Sequence, residues 1–245
     1  IVVSLSRPQV VQDIQEKNDV SMIALVPNLK GMEAALSAGV KRVALFTATS
    51  EKFNQNNINS SIGESIKKIR EVASICRTRG ISIRGYISTV FGCPYEGKKT
   101  TGNMERIIKS LQDMGADEIS FGDTIGVGTP DAVESRLEEI FKFCDTRSVA
   151  MHFHDTYGRG LANVYAALKN GVEIFDTSAG GMGGCPYAKG ASGNLATEDL
   201  VSMLNEMNIE HGADLKKIVN ASSLVLEKLS RKSSSKVHEV VKLGK

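Results

Sequence analysis

Residues Val149–Gly158 read VAMHFHDTYG: an apolar run, two histidines one residue apart, then a polar turn that leads into a helical pattern. In a β-strand successive side chains point to opposite faces, so His152 and His154 share one face while Met151 and Phe153 share the other. Asp155 follows at the end of the strand. Two imidazoles projecting the same way from one rigid element make a short-spaced grip for a divalent cation, placed at the carboxyl end of a strand, where α/β enzymes keep their chemistry. The alternative is that the rings only hydrogen-bond the strand end, and for a single histidine that would be favoured.

The pattern repeats on both sides of this stretch. Strand candidates are Val20–Val26, Arg42–Thr47, Ser82–Thr89, Glu118–Asp123, Val149–His154 and Glu173–Ser178. Between and after them the spacing predicts helices from Asn28 towards Gly39, over Ile62–Thr78 with Gly80 as the cap, and over Met104–Met114, Pro130–Phe143, Leu161–Lys169 and Thr197–Asn205. The Asn-rich stretch Ser50–Ser61 reads as a loop, Ile1–Lys17 as an extended IVVSLS followed by a helix around Pro8–Gln15, Leu215–Leu229 as one or two helices, and Arg231–Lys245 as a basic, serine-rich end. Strands alternating with helices every 30 to 40 residues or so mean a parallel sheet covered on both faces. Six such units fit an open doubly wound sheet or a TIM (β/α)8 barrel without its first two strands. The doubly wound reading requires a Gly-rich turn after the first strand, which is absent. The expectation is therefore an α/β chain of TIM-barrel type, six of eight strands, forming one domain over residues 1–245 with C-terminal helices from about residue 197.

Composition excludes several classes of function. With 30 basic and 28 acidic residues the net charge is only +2, too small a field for nucleic-acid binding. No window approaches the roughly 18 apolar residues of a membrane span, and no charged-then-apolar signal segment opens the chain. Cys76, Cys93, Cys144 and Cys185 form no CxxC pair, which favours a reduced compartment, the cytoplasm or the mitochondrial matrix.

Two ligands do not complete a metal site, so a carboxylate and another oxygen donor must come from elsewhere. The segment Gly180–Asn194, GGMGGCPYAKGASGN, has six glycines in fifteen residues. That density suits a mobile active-site lid, with a loose surface linker as the plain alternative. A thiol at Cys185 in such a loop can act as an acid or a base. Asn194 would either cap the next helix or supply a carbonyl oxygen to the cation. Asp123 ends its strand as EISFGDT, where barrel enzymes place catalytic groups, and a turn-forming role is as plausible.

HFHDT at His152–Thr156, GDTIGVGTP at Gly122–Pro130, FGCPYEGK at Phe91–Lys98 and GGCPYAKGASGNLATEDL at Gly183–Leu200 together resemble the 3-hydroxy-3-methylglutaryl-CoA lyases, metal-dependent aldolase and Claisen-type TIM barrels. The likeness runs from PNLKG at Pro27–Gly31 to SRKSSSK at Ser230–Lys236. It implies a Mg²⁺ or Mn²⁺ ion held by His152, His154 and Asn194, with Cys185 handling protons and Asp123 near the substrate hydroxyl. It also implies that Tyr86, Asn57 and Lys232 meet the CoA portion. The implied reaction is a retro-Claisen cleavage to acetyl-CoA and acetoacetate, and the implied partner is a small-molecule acyl-CoA, without nucleic acid or membrane; a homodimer is left open.

The chain departs from that family in one respect. Family members open on a strand ending in Arg-Asp-Gly, whose Asp binds the metal and whose Arg stabilises the enolate, and their second strand contributes a Glu; no Arg-Asp-Gly segment is present here. The expectation for these 245 residues alone is weak metal binding and negligible cleavage. The competing readings are a condensing synthase or aldolase of the same barrel class and a non-catalytic remnant that binds metal or CoA.

Overall fold

The computed structural model describes residues 2–4, 21–97, 101–183 and 193–244. The helix expected around Pro8–Gln15 and the thiol of Cys185 lie outside the described residues. The chain packs as two compact units, Ile1–Gly122 with Glu139–Ala150, and Asp123–Glu138 with Met151–Lys245.

In the first unit β1 (Val2–Ser4), β2 (Ile23–Leu25), β3 (Arg42–Ala48), β4 (Ser82–Ser88) and β5 (Ala116–Asp123) pair in chain order, all parallel. Among the described residues β1 is a seventh strand beyond the six expected: Val2–Ser4, from the stretch read as extended, is a paired element, with Val3 opposite Ala24. Its three residues are too few to show periodicity, and pairing with β2 is what makes them a strand.

Along β4 successive side chains point to opposite faces of the sheet. Ile83, Gly85 and Ile87 share the face on which α4 (Met104–Asp113) lies, and a Cβ on Gly85 would stand 2.7 Å from Leu111, so only glycine admits that approach. On the other face the Arg84 guanidinium pairs with Glu118 and lies 5.0 Å from the Tyr86 ring. α1 (Leu29–Ser37) starts at Asn28, whose side chain accepts the Gly31 N–H. α3 (Ile62–Arg79) starts with a reciprocal Ser61–Glu64 capping box and ends at Gly80 in the left-handed region.

The expected loop Ser50–Ser61 is instead largely a helix, α2 (Glu51–Ile58). Asparagines are weak helix formers. Here tertiary contacts override that preference, because Ser50 caps Phe53 and buried Asn54 donates to Thr47 and Ser65.

The second unit takes β6 (Val149–Phe153) from Met151 onward, together with α6 (Gly160–Lys169), β7 (Ile174–Asp176), α7 (Thr197–Glu206) and α8 (Leu215–Lys228). α5 (Pro130–Ile140) begins in it. The basic end expected from Arg231 includes a helix, α9 (Lys236–Leu243). Ser235 caps it by accepting the Val237 and His238 N–H groups, and gives its own hydroxyl to buried Asp199 at 2.6 Å. That cap is assembled with a residue 36 positions upstream. No helix among the described residues is long and apolar enough to cross a membrane.

Candidate active site

β6 carries His152, and His154 follows one residue past its end, on the same face as the alternation requires. Their rings stand 5.2 Å apart between centroids, tilted by 55°. Beyond Phe153 the chain keeps pairing, now antiparallel with the segment before α7: the Leu195 N–H donates to the Phe153 carbonyl at 3.1 Å and the Asp155 N–H to the Gly193 carbonyl at 2.8 Å. His154 and Asn194 are therefore bridge partners, and the Asn194 side chain also hydrogen-bonds the His154 ring. Of the alternatives open for Asn194, the N-cap falls away, because α7 begins after Ala196.

The electrostatics suit a ligand. Burial, then the neighbouring His152, push the His154 imidazole down to about 4, against the contacts with Asn194 and the Thr124 backbone, so the ring is neutral over the physiological range. Nδ1 of both histidines is buried without a well-formed hydrogen bond among the described residues. Asp176, at the end of β7, puts Oδ2 3.6 Å from His152 Nδ1. A carboxylate so placed is a charge partner for the ring, just outside hydrogen-bond reach. Asp176 was missed in the sequence, although it ends a strand just as Asp123 does.

Among the described residues no group of three or more His, Cys, Asp and Glu could hold a metal ion. The donor set is two imidazoles plus the Asn194 amide oxygen, a mixture that suits Mg²⁺, Mn²⁺ or Zn²⁺ only with further oxygen donors.

Asp123 takes the turn-forming alternative. It is fully buried, with Oδ1 accepting the Val127 N–H at 3.0 Å and Oδ2 the Gly128 N–H at 2.9 Å. Burial raises the carboxyl to about 6, against the opposing effects of those N–H groups, Gly126 and Arg159. Its loop lies against the histidine strand, since a Cβ on Gly126 would meet Thr156 and the His154 carbonyl. Asp155 likewise serves its own turn, accepting the Gly160 N–H at 2.7 Å at the start of α6.

The three residues implied for CoA are placed separately. Tyr86 is half-buried on β4 and Asn57 exposed on α2, both in the first unit. Lys232 is exposed in the second unit, where it lines a cavity of about 660 Å³ with Arg231 and Lys242. Cys76, Cys93 and Cys144 are buried and unbridged, and burial pushes the Cys76 and Cys144 thiols up to about 11, which leaves them inert at neutral pH.

Comparison with known proteins follows the same line. A sequence model of the HMGL-like family matches residues 3–225. The mitochondrial hydroxymethylglutaryl-CoA lyase of Bos taurus is 48% identical over 229 residues, covering 94% of this chain and 70% of that protein. The crystal structure of hydroxymethylglutaryl-CoA lyase from Pseudomonas aeruginosa superposes with a TM-score of 0.94 at 41% identity, over 99% of this chain and 84% of that one. A lyase from Acinetobacter baumannii, solved with coenzyme A and 3-methylmalate, gives 0.88 at 31% identity, over 95% and 76% of the two chains. The barrel-type α/β class expected from the strand-helix rhythm is thus the fold of these enzymes, and the chain belongs to the HMGL-like family, among its hydroxymethylglutaryl-CoA lyases.

Proposed function

We propose that the protein cleaves 3-hydroxy-3-methylglutaryl-CoA to acetyl-CoA and acetoacetate at the β6 histidines, with a bound Mg²⁺ or Mn²⁺ ion. The observation that carries this reading is the bridge between His154 and Asn194, which sets an amide oxygen donor beside the two imidazoles. His152, His154 and Asn194 would hold the cation, and Asp176 would orient His152. The ion would draw electron density from the tertiary alcohol and carboxylate oxygens of the substrate.

The reaction breaks one carbon–carbon bond. The tertiary hydroxyl loses its proton, the bond to the acetyl-CoA carbon opens, acetoacetate leaves, and the acetyl-CoA enolate takes a proton at that carbon. Cys185 is our candidate for the acid that delivers it, since a thiol can carry and release a proton. Asp123 ionises near neutrality, as a proton acceptor must. Its burial beneath Gly126–Gly128 means that the loop must part before substrate can touch it, so we assign it first to holding that loop against the histidine strand.

Lys232, with Arg231 and Lys242 beside it, supplies positive charge for the phosphates of the CoA group, and Tyr86 and Asn57 are candidates for its remaining contacts. The coenzyme A bound to the Acinetobacter baumannii relative supports that substrate class. The unbridged cysteines suit a reducing compartment such as the mitochondrial interior.

Long incubation at high protein concentration with Mn²⁺ tests the reading. Acetoacetate release above the metal-free control is expected, abolished by chelation and lost in His154→Ala. Condensation of acetyl-CoA with a 2-oxo acid in place of that release would transfer the chain to the synthases. Mn²⁺ binding without any turnover would make it a binding protein.

A further inference from the structure

The amide of Asn194 has two unlike ends: its oxygen can face a cation, and its NH₂ group cannot. The partner of one end therefore decides what the other presents. Nδ2 of Asn194 donates to the Met182 carbonyl at 3.0 Å, which leaves Oδ1 for the histidine side.

That carbonyl is itself held in place. Met182 closes the tight turn Ala179–Gly181, whose centre, Gly180, is gripped on both sides. Its N–H donates to both oxygens of Glu198, at 2.9 and 2.8 Å, and its carbonyl accepts the Ser234 N–H at 3.1 Å and the Ser233 hydroxyl at 3.2 Å. Glu198 is fully buried at the start of α7 and is steadied by the Ser222 hydroxyl at 2.7 Å. Gly180, Gly181 and Gly183 all lie in the left-handed region, with φ of 64°, 62° and 101°. A Cβ on Gly183 would stand 2.6 Å from Asn194 Nδ2. The turn thus has no room for a side chain that would disturb the amide.

We propose that Glu198 is a positioning residue for the cation site: by gripping Gly180 it sets the Met182 carbonyl, which presents Asn194 oxygen-first beside His154. Ser233 and Ser234 hold the same glycine, so the tail that carries Lys232 is tied to the metal end of the site. The inference rests on the reading above that Asn194 is a cation ligand. A carboxyl that only satisfied a buried N–H would stabilise the fold without acting on Asn194, and the two roles part at that residue.

A double-mutant cycle on Mn²⁺ affinity, read by calorimetry or electron paramagnetic resonance, separates them. Glu198→Gln and Gly183→Ala should each weaken binding about 10- to 100-fold, the range of residues that orient metal ligands. Combined with Asn194→Ala, neither should weaken it further, because the group they orient is gone. Losses that add in the double variants, or unchanged affinity in Gly183→Ala, would overturn the proposal. Gly183→Ala keeps the carboxyl in place and carries the comparison alone where Glu198→Gln does not fold.

A second readout needs no metal. In the metal-free protein the side-chain NH₂ resonances of Asn194 should shift in Gly183→Ala and Glu198→Gln and stay in place in Ser65→Ala, a buried polar substitution in the first unit. If the unaltered protein binds no Mn²⁺, the metal reading fails, and these resonances still decide whether Glu198 acts on Asn194. Resonances that stay in place in both variants overturn the positioning role.

Discussion

Asp123 and Glu198 are both fully buried acids that close a glycine-bearing turn after a strand, yet they do so over very different distances along the chain. Asp123 reaches N–H groups four and five residues ahead, inside its own loop. Glu198 reaches 18 residues back to Gly180 and 24 forward to Ser222, and so joins the end of β7, the start of α7 and the middle of α8. A turn closed by its own acid keeps its shape whatever its neighbours do. A turn closed from elsewhere keeps its shape only while the second unit is packed, which makes the Glu198 turn a route by which packing can act on the proposed metal ligands.

The largest expected effect strikes this contrast directly. Glu198→Ala strands the Gly180 N–H, leaves the Ser222 hydroxyl only the Val219 carbonyl and opens a cavity, at about 4 kcal/mol by denaturant unfolding. A loss near 1 kcal/mol would show that the Gly180 grip matters little.

The acid in the Asp123 loop is next. Its carboxyl is raised from 3.8 to about 6, so the folded protein binds the extra proton between those values, and stability from this group is full below pH 4 and falls as pH rises through 6. His154 works the other way. Lowered from 6.5 to about 4, it takes up a proton on unfolding, so its stability is full above 6.5 and is lost as pH falls towards 4. Each amounts to about 3 kcal/mol at 1.36 kcal/mol per unit, and in the unaltered protein they largely cancel between pH 4 and 6. Asp123→Asn should make stability rise with pH across that window, and His154→Gln should make it fall. Parallel slopes in both variants would refute the opposition.

His154→Ala should weaken Mn²⁺ binding about a hundredfold, near 2.7 kcal/mol, while Asp123→Asn should change it by less than about threefold if its loop is self-contained. An equal loss in both would mean that the two turns act on the proposed metal ligands alike. The smallest effect belongs to Ser222→Ala, about 1 kcal/mol for one hydrogen bond to an acid that keeps its Gly180 contacts.

Legibility in the sequence follows the same division. The β6 histidines were legible because a period of two needs only five or six residues of strand. The Gly80 cap was legible because it is closed within one turn of helix. Asp123 was half legible, since a strand-end Asp before a glycine loop reads equally as catalyst or turn former, and only the structure showed that it is buried and closes its own turn. The helix Glu51–Ile58 was hidden because Asn54 is stabilised by Thr47 and Ser65, not by its neighbours in sequence. The strand Val2–Ser4 was hidden because its evidence is the pairing with Ile23–Leu25.

By itself the sequence determined the parallel strand-helix rhythm, the shared face of His152 and His154, and motifs specific enough to identify the family. Those features depend on residues close together in the chain or on patterns that repeat along it. Only the tertiary structure decided that Asn194 pairs with His154, that Asp176 stands behind His152, and that Glu198, Ser233 and Ser234 meet on Gly180. Contacts across tens of residues leave no local periodicity, because the chain reaches them only after the strands are in register and the buried polar groups have found partners.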